Sequence, residues 1–116
     1  MGSSQESDRY EEEDLYQLGE EMEKQLWGRA NWEKASSKLK EFHPVLYKFG
    51  LQVHALYARP TLSKKTRSLC TIAALTALGE SLPLKWHTYA ALTNGASPEE
   101  IKEVILQATP YGGIPK

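Results

Sequence analysis

The stretch "SKKTRSLCTIAALTALG", residues 63–79, constrains this chain more than any other. From residue 68 to 79 it is apolar or small on nearly every side, so a helix here has no face to give to water and must be covered on several sides. Ser63 is placed to cap its start. The chain supplies the covering partners as further helical segments, since it has no alternating apolar strand of useful length, no internal repeat and no low-complexity tract. The expected architecture is all-α with five or six helices, and Ala73, Ala74, Ala77, Ala90 and Ala91 allow those helices to approach closely. A length of 116 residues holds one domain, with about 100 left to fold once a polar start is set aside. A core of that size is modest, so an oligomer is expected.

The polar start is "MGSSQESDRYEEED", residues 1–14, which reads as a disordered acidic lead-in to a single all-helical domain over residues 15–116. In "DLYQLGEEMEKQLWG" the residues Leu15, Leu18, Met22 and Leu26 recur at helical steps and give a narrow amphipathic helix stopped by Gly28. Asn31 reads as the N-cap of the next helix, and His43-Pro44 breaks it, because the residue before a proline is pushed out of the α region. A further run, Val45 to Tyr57, ends at Arg59-Pro60 and carries the stripe Leu46, Phe49, Val53 and Leu56. Pro83 suits the first position of "PLKWHTYAALTNG", which Asn94-Gly95 stops. Ser97 caps "PEEIKEVILQAT", with Pro98 first in the helix and Glu99 and Glu100 at the positive end of its dipole. The closing "PYGGIPK" reads as a loop.

The net charge of −1 conceals a division. Residues 1–25 hold nine acids against Arg9 and Lys24, whereas residues 26–116 hold six acids against twelve Lys and Arg. The basic part suits an anionic small molecule or a nucleic acid, or else is no more than solvated lysines on helix surfaces. No basic stripe interleaved with aromatics and no nucleic-acid reader motif accompanies it, so nucleic acid is not an expected partner. The single cysteine, Cys70, excludes an intrachain disulfide and a CxxC pair, and fits a reducing cytoplasmic setting. Without an apolar leader or a window of about 18 apolar residues, no membrane partner is expected.

His43, His54 and His87 make neither an H-x-x-x-H pair nor a Cys/His cluster, so no metal is expected. His87 is the strongest candidate for chemistry. At 3.6 residues per turn it shares a face with Leu84, Ala91 and Asn94, where an imidazole either packs in a core or exchanges protons near neutral pH. Arg67, in the first turn of the central helix, is placed either to receive a carboxylate in a dry pocket or to make a structural ion pair. Arg59 holds a second carboxylate or caps a helix. Glu80, seven residues before His87, orients the imidazole or is a surface acid at a helix end. His54 and Tyr111 complete the candidates.

The segment "RPTLSKKTRSLCTIAALTALG…LKWHTYAALTNGASPEEIKEVILQATPYGGIP", Arg59 to Pro115, resembles the carboxymuconolactone decarboxylase family. The likeness lies in the Arg-Pro-x-Leu lead, the Lys-Thr-Arg-Ser-Leu helix start, the histidine followed by Ala-Ala and Asn-Gly-Ala, and the closing Tyr-x-Gly-x-Pro. It implies an alkylhydroperoxidase D-like helical fold assembled as trimers or hexamers with sites near subunit contacts. One branch of the family is a peroxidase with a CxxC pair before the histidine and a glutamate on the preceding helix. Those positions fall here on Glu80, Pro83 and Ser68, which disfavours peroxidase chemistry. The other branch, whose "TRSL" matches Thr66 to Leu69, removes carbon dioxide without a cofactor from a lactone dicarboxylate of aromatic-ring catabolism. By that resemblance Arg67, with Arg59, anchors a carboxylate and His87 moves the proton; Arg59, His54, Glu80 and Tyr111 are the expected substrate-binding residues. Before Arg59-Pro60 the polar groups are Gln52, His54 and Tyr57, where the family commonly has an acid and aromatics. The alternatives are a non-catalytic oligomeric member and, last, a peroxidase.

Overall fold

Helix ends follow from a few punctuating residues. The backbone N–H of Thr66 donates to Ser63 Oγ at 3.1 Å, and the start of the last helix is closed twice: Glu100 N–H donates to Ser97 Oγ at 3.0 Å and Ser97 N–H donates to Glu100 Oε1 at 2.9 Å. Gly28 and Gly79 turn the chain with positive φ, 82° and 74°. The computed structural model describes residues 12–112. Among these are six α-helices and one 3-10 turn, with no strand: α1 (Glu12–Trp27), α2 (Arg29–Phe42), α3 (Pro44–His54), the 3-10 turn (Ala55–Ala58), α4 (Lys64–Leu78), α5 (Ser81–Thr93) and α6 (Pro98–Gly112). The fold is all-α, as the sequence implies. None of these helices is long and apolar enough to cross a membrane. The expected disorder of residues 1–11 and the loop from residue 113 onward lie outside the described residues.

The chain divides into two compact units between Leu62 and Ser63. In the first, α1 buries Met22 and Leu26, and α3 with the 3-10 turn buries Leu51, Ala55 and Tyr57. A Cβ at Gly19 would overlap the backbone of Leu51, so this glycine sets how closely α1 and α3 can cross. His43 ends α2 and begins α3, its Nδ1 accepting from the Leu46 N–H at 3.1 Å, with Pro44 first in α3. Two expectations need correction, and one stripe finds no cover within the unit. Helix α1 starts at Glu12, ahead of the expected boundary, because acids are favoured in a first turn. Asn31 is no N-cap: Gly28 turns the chain in one residue, and the Asn31 side chain donates to the Trp27 carbonyl at 3.0 Å. The stripe of Leu46, Phe49, Val53 and Leu56 is exposed, since α3 turns Leu51 rather than this stripe inward.

In the second unit α4 packs on α5 and α6. Its Ser68, Ile72 and Thr76, four residues apart, are buried, and the core gathers Ile72, Ala91, Ala96 and Ile101 with Leu69, Leu84, Val104 and Ile105 around them. A Cβ at Gly112 would overlap the Ala77 backbone, so α6 meets α4 there with only backbone between them. Helix α5 begins at Ser81 and not at Pro83. The first N–H groups of a helix have no intrahelical acceptor, so a proline in the third position loses nothing. Helix α6 runs through Pro110 to Gly112 where a loop was expected, its last turn seated against α4. Cys70, read as lying inside a buried helix, is exposed: two faces of α4 are covered, and Cys70 lies beyond them.

Candidate functional site

In the second unit α4 and α5 are joined by Gly79 and Glu80 and run antiparallel, with Asn94 Nδ2 donating to the buried Ser68 Oγ at 2.9 Å. That bond fixes the register. His87 lies two turns before Asn94 on the same face, and its Nδ1 is buried. Arg67 is the neighbour of Ser68 and is half-buried. A rise of 1.5 Å per residue therefore sets the His87 backbone about 10 Å along α5 from the level of Arg67. Glu80 is exposed at the N-cap of α5, where its side chain makes no capping bond. Tyr111 is exposed and lines an open, apolar groove of about 550 Å³ between α4 and α6, together with Thr66, Cys70, Ala74, Ala77 and Gln107. The second unit thus holds Arg67, Glu80, His87 and Tyr111.

The first unit holds the other two candidates. Arg59 ends the 3-10 turn in extended conformation, its N–H donating to the Leu56 carbonyl at 3.1 Å. His54, at the last turn of α3, stands 2.6 Å through Nδ1 from Glu23 Oε2 on α1. The other oxygen of that carboxylate accepts from the Trp32 indole N–H at 3.0 Å. Trp27 meets the imidazole edge to face, with ring centroids 4.9 Å apart, and Tyr57 lies at 6.4 Å. Glu23 is the member of this cluster that sequence reading missed. Its one local signal is an acid between Met22 and Leu26, inside the stripe that α1 buries.

The electrostatics of the two units differ. Burial, and then the carboxylates of Glu20 and Glu23, push the Tyr47 phenol above its ordinary range. In the second unit the Lys65 ammonium, followed by the Ser97 N–H, holds the Glu100 carboxyl below its ordinary value. Among the described residues, no group of three or more His, Cys, Asp or Glu could hold a metal ion.

Comparison with known proteins adds to this geometry. The chain is 33% identical over 106 residues to a 4-carboxymuconolactone decarboxylase of Acinetobacter baylyi, covering 90% of this chain and 79% of that one. It is 38% identical over 60 residues to a nitrosuccinic acid decarboxylase of Metarhizium robertsii, covering 52% of this chain and 42% of the relative. No solved structure matches it. The model of the carboxymuconolactone decarboxylase family matches residues 47–116, more than half of the chain and the whole of the α4 to α6 unit. On the family match and the long Acinetobacter alignment together, this chain belongs to the carboxymuconolactone decarboxylase family.

Proposed function

We propose that this chain is a cofactor-free decarboxylase of small carboxylated lactones or keto acids, acting in the cytoplasm as a homo-oligomer, a trimer or hexamer. The observation that carries the reading is the alignment to 4-carboxymuconolactone decarboxylase over 90% of the chain, and the second relative is named a decarboxylase as well. Arg67 orients a substrate carboxylate through its paired guanidinium donors. The bond from carbon to a carboxylate breaks, carbon dioxide leaves, and the electron pair passes into the adjacent carbonyl as an enolate. The His87 imidazolium then gives its proton to the carbon left behind, and the neutral ring takes one back from water. Glu80 and Tyr111 complete the proposed binding set in the second unit, and Arg59 and His54 are the candidate binding residues of the first unit. The exposed apolar side chains of Phe42, Val45, Leu46, Phe49 and Val53 support an oligomer, since a patch of that kind on a small chain commonly marks an interface.

Ultraviolet-monitored consumption of carboxymuconolactone tests the assignment. Wild-type turnover is expected, with a fall of roughly a hundredfold or more in His87→Ala. Absence of wild-type turnover would sink the substrate, and equal rates would sink the role of His87. Burial of the His87 Nδ1 favours a second reading, a non-catalytic oligomeric member in which the imidazole only packs. Its signature is a lower melting temperature for His87→Ala with no small acid binding in a thermal-shift screen.

A further inference from the structure

Helix α3 turns Leu51 inward, and the opposite side of the same run carries Val45, Leu46, Phe49, Val53 and, on the 3-10 turn, Leu56, all of them exposed. Val45, Phe49 and Val53 follow one another at four-residue steps and form a single ridge. That ridge is the same from either end: valine, phenylalanine, valine. Phe42, at the end of α2, and Leu56 stand seven residues to either side of Phe49 and are 80% and 53% exposed. A surface that is alike in both directions is complementary to its own copy turned about a two-fold axis, because Val45 then meets Val53 and Phe49 meets itself. The titratable side chains of α3 are drawn off the ridge: Lys48 lies 5.5 Å over the Tyr16 ring of α1, Tyr47 lies under Lys40, and His54 faces Glu23. Like charges therefore do not meet across an axis at Phe49, as suits an interface core. The six apolar side chains from Phe42 to Leu56 expose about 600 Å² in each copy, the top of the range for a patch on a monomer, and a pair would bury about 1,200 Å², which is what a stable interface needs.

We propose that two copies of this chain pair through this face, α3 against α3 in antiparallel order, with the two-fold axis at Phe49. The pairing rests on the homo-oligomer reading and narrows it. A lone trimer contains only contacts in which one surface meets a different one, whereas a hexamer assembled from three pairs contains a two-fold contact of this kind. The self-complementary face thus selects the hexamer. The decarboxylase chemistry plays no part in it.

Single cysteines locate the axis. Cys70 is the chain's one cysteine and is exposed, so a Cys70→Ser background leaves each introduced thiol alone. A disulfide needs Cα atoms about 5.5–6 Å apart, a separation open to side chains that face each other on an axis. Under mild oxidation of the full chain, Phe49→Cys is expected to link copy to copy. Val45→Cys is not, since the pairing sets its two copies about 12 Å apart along the helices, but co-expressed with Val53→Cys it should link across. Ser37→Cys, exposed on α2 and off the ridge, gives the baseline. Phe49→Cys that links no faster than Ser37→Cys, or Val45→Cys that links to itself as fast as Phe49→Cys, overturns the proposal. Light scattering supplies the second measurement. Phe49→Lys changes an exposed position, leaves the buried core intact, and should halve the mass of the wild-type particle. An unchanged mass in the folded variant also overturns the proposal. A monomeric wild type removes it together with the oligomer reading. A wild-type trimer that neither links at Phe49 nor halves leaves the oligomer reading standing and ends the proposal. A wild-type dimer linked at Phe49 upholds the proposal and ends the reading as trimer or hexamer.

Discussion

The two units of this chain hold their helices together by different means. In the first, the crossing of α1 and α3 at Gly19 and Leu51 is accompanied by a carboxylate, an imidazole and an indole bonded to one another. In the second, α4 meets α6 through the backbone at Ala77 and Gly112, and meets α5 through a neutral bond from Asn94 to Ser68 amid small apolar side chains. Small residues let shape alone set helix spacing, and they leave side chains on that face little freedom to do anything else. A charged cluster demands a particular partner for each of its atoms, and in return it fixes the orientation of the imidazole. His87 and His54 sit in these two surroundings, and the difference between them can be broken or sharpened by experiment.

The largest effects belong to the cores. Ile72 and Leu26 are fully buried, one in each unit, and truncation of either to Ala is expected to destabilise its unit by about 2–5 kcal/mol. Amide hydrogen exchange is the useful measurement. Ile72→Ala should loosen α4 to α6 while α1 to α3 stay protected, and Leu26→Ala should do the reverse. Uniform loss of protection in both variants would mean that the units unfold as one, and the contrast drawn above would lose its meaning.

Next come the glycine crossings. Gly19→Ala places a methyl against the Leu51 backbone in mid-helix and should cost about 1–3 kcal/mol by urea denaturation. Gly112→Ala meets the Ala77 backbone just as closely but at the last residue of α6, where fraying relieves the overlap, so a smaller loss is expected. Equal losses would show that the end of α6 is as firmly held as the middle of α1. Of comparable size is Asn94→Ala, which takes the donor from the fully buried Ser68 hydroxyl and should cost about 1–3 kcal/mol.

These experiments probe features of unequal legibility in the sequence. The caps at Ser63 and Ser97 and the glycine turn at Gly28 could be read directly, because each acts on backbone groups within four residues of itself. Prolines misled twice. Pro83 suggested a helix start although any first-turn position suits it, and Pro110 suggested a loop although the packing of Gly112 carries α6 past it. The stripe of Leu46, Phe49, Val53 and Leu56 could be read from its period, but its exposure could not, since periodicity reports a face without saying what covers it. His87 could be placed on its helix from spacing alone. The partner of His54 could not, because Glu23 lies 31 residues away and only the crossing of α1 with α3 brings them together.

The smallest effects separate the units by pH. Glu100 is half-buried, and its carboxyl is held below the ordinary value of 4.5, first by the bond to Lys65 and then by the Ser97 N–H. A depressed folded-state value means that its contribution is present above the ordinary value and lost as pH falls through the folded one. Glu100→Gln should therefore lower the urea midpoint slightly at neutral pH and converge with wild type in acid. Tyr47 in the first unit has the opposite sense: burial, then Glu20 and Glu23, raise its phenol above 10.0. Its contribution is present below that value and lost as pH rises through the folded one, so wild type should lose stability toward alkali more steeply than Tyr47→Phe. If the chain's two units differ as argued, acid acts first on the capping box of α6 and alkali on the carboxylate-lined crossing of α1 and α3. A Glu100→Gln deficit that widens in acid would reverse the sign and break this part of the contrast.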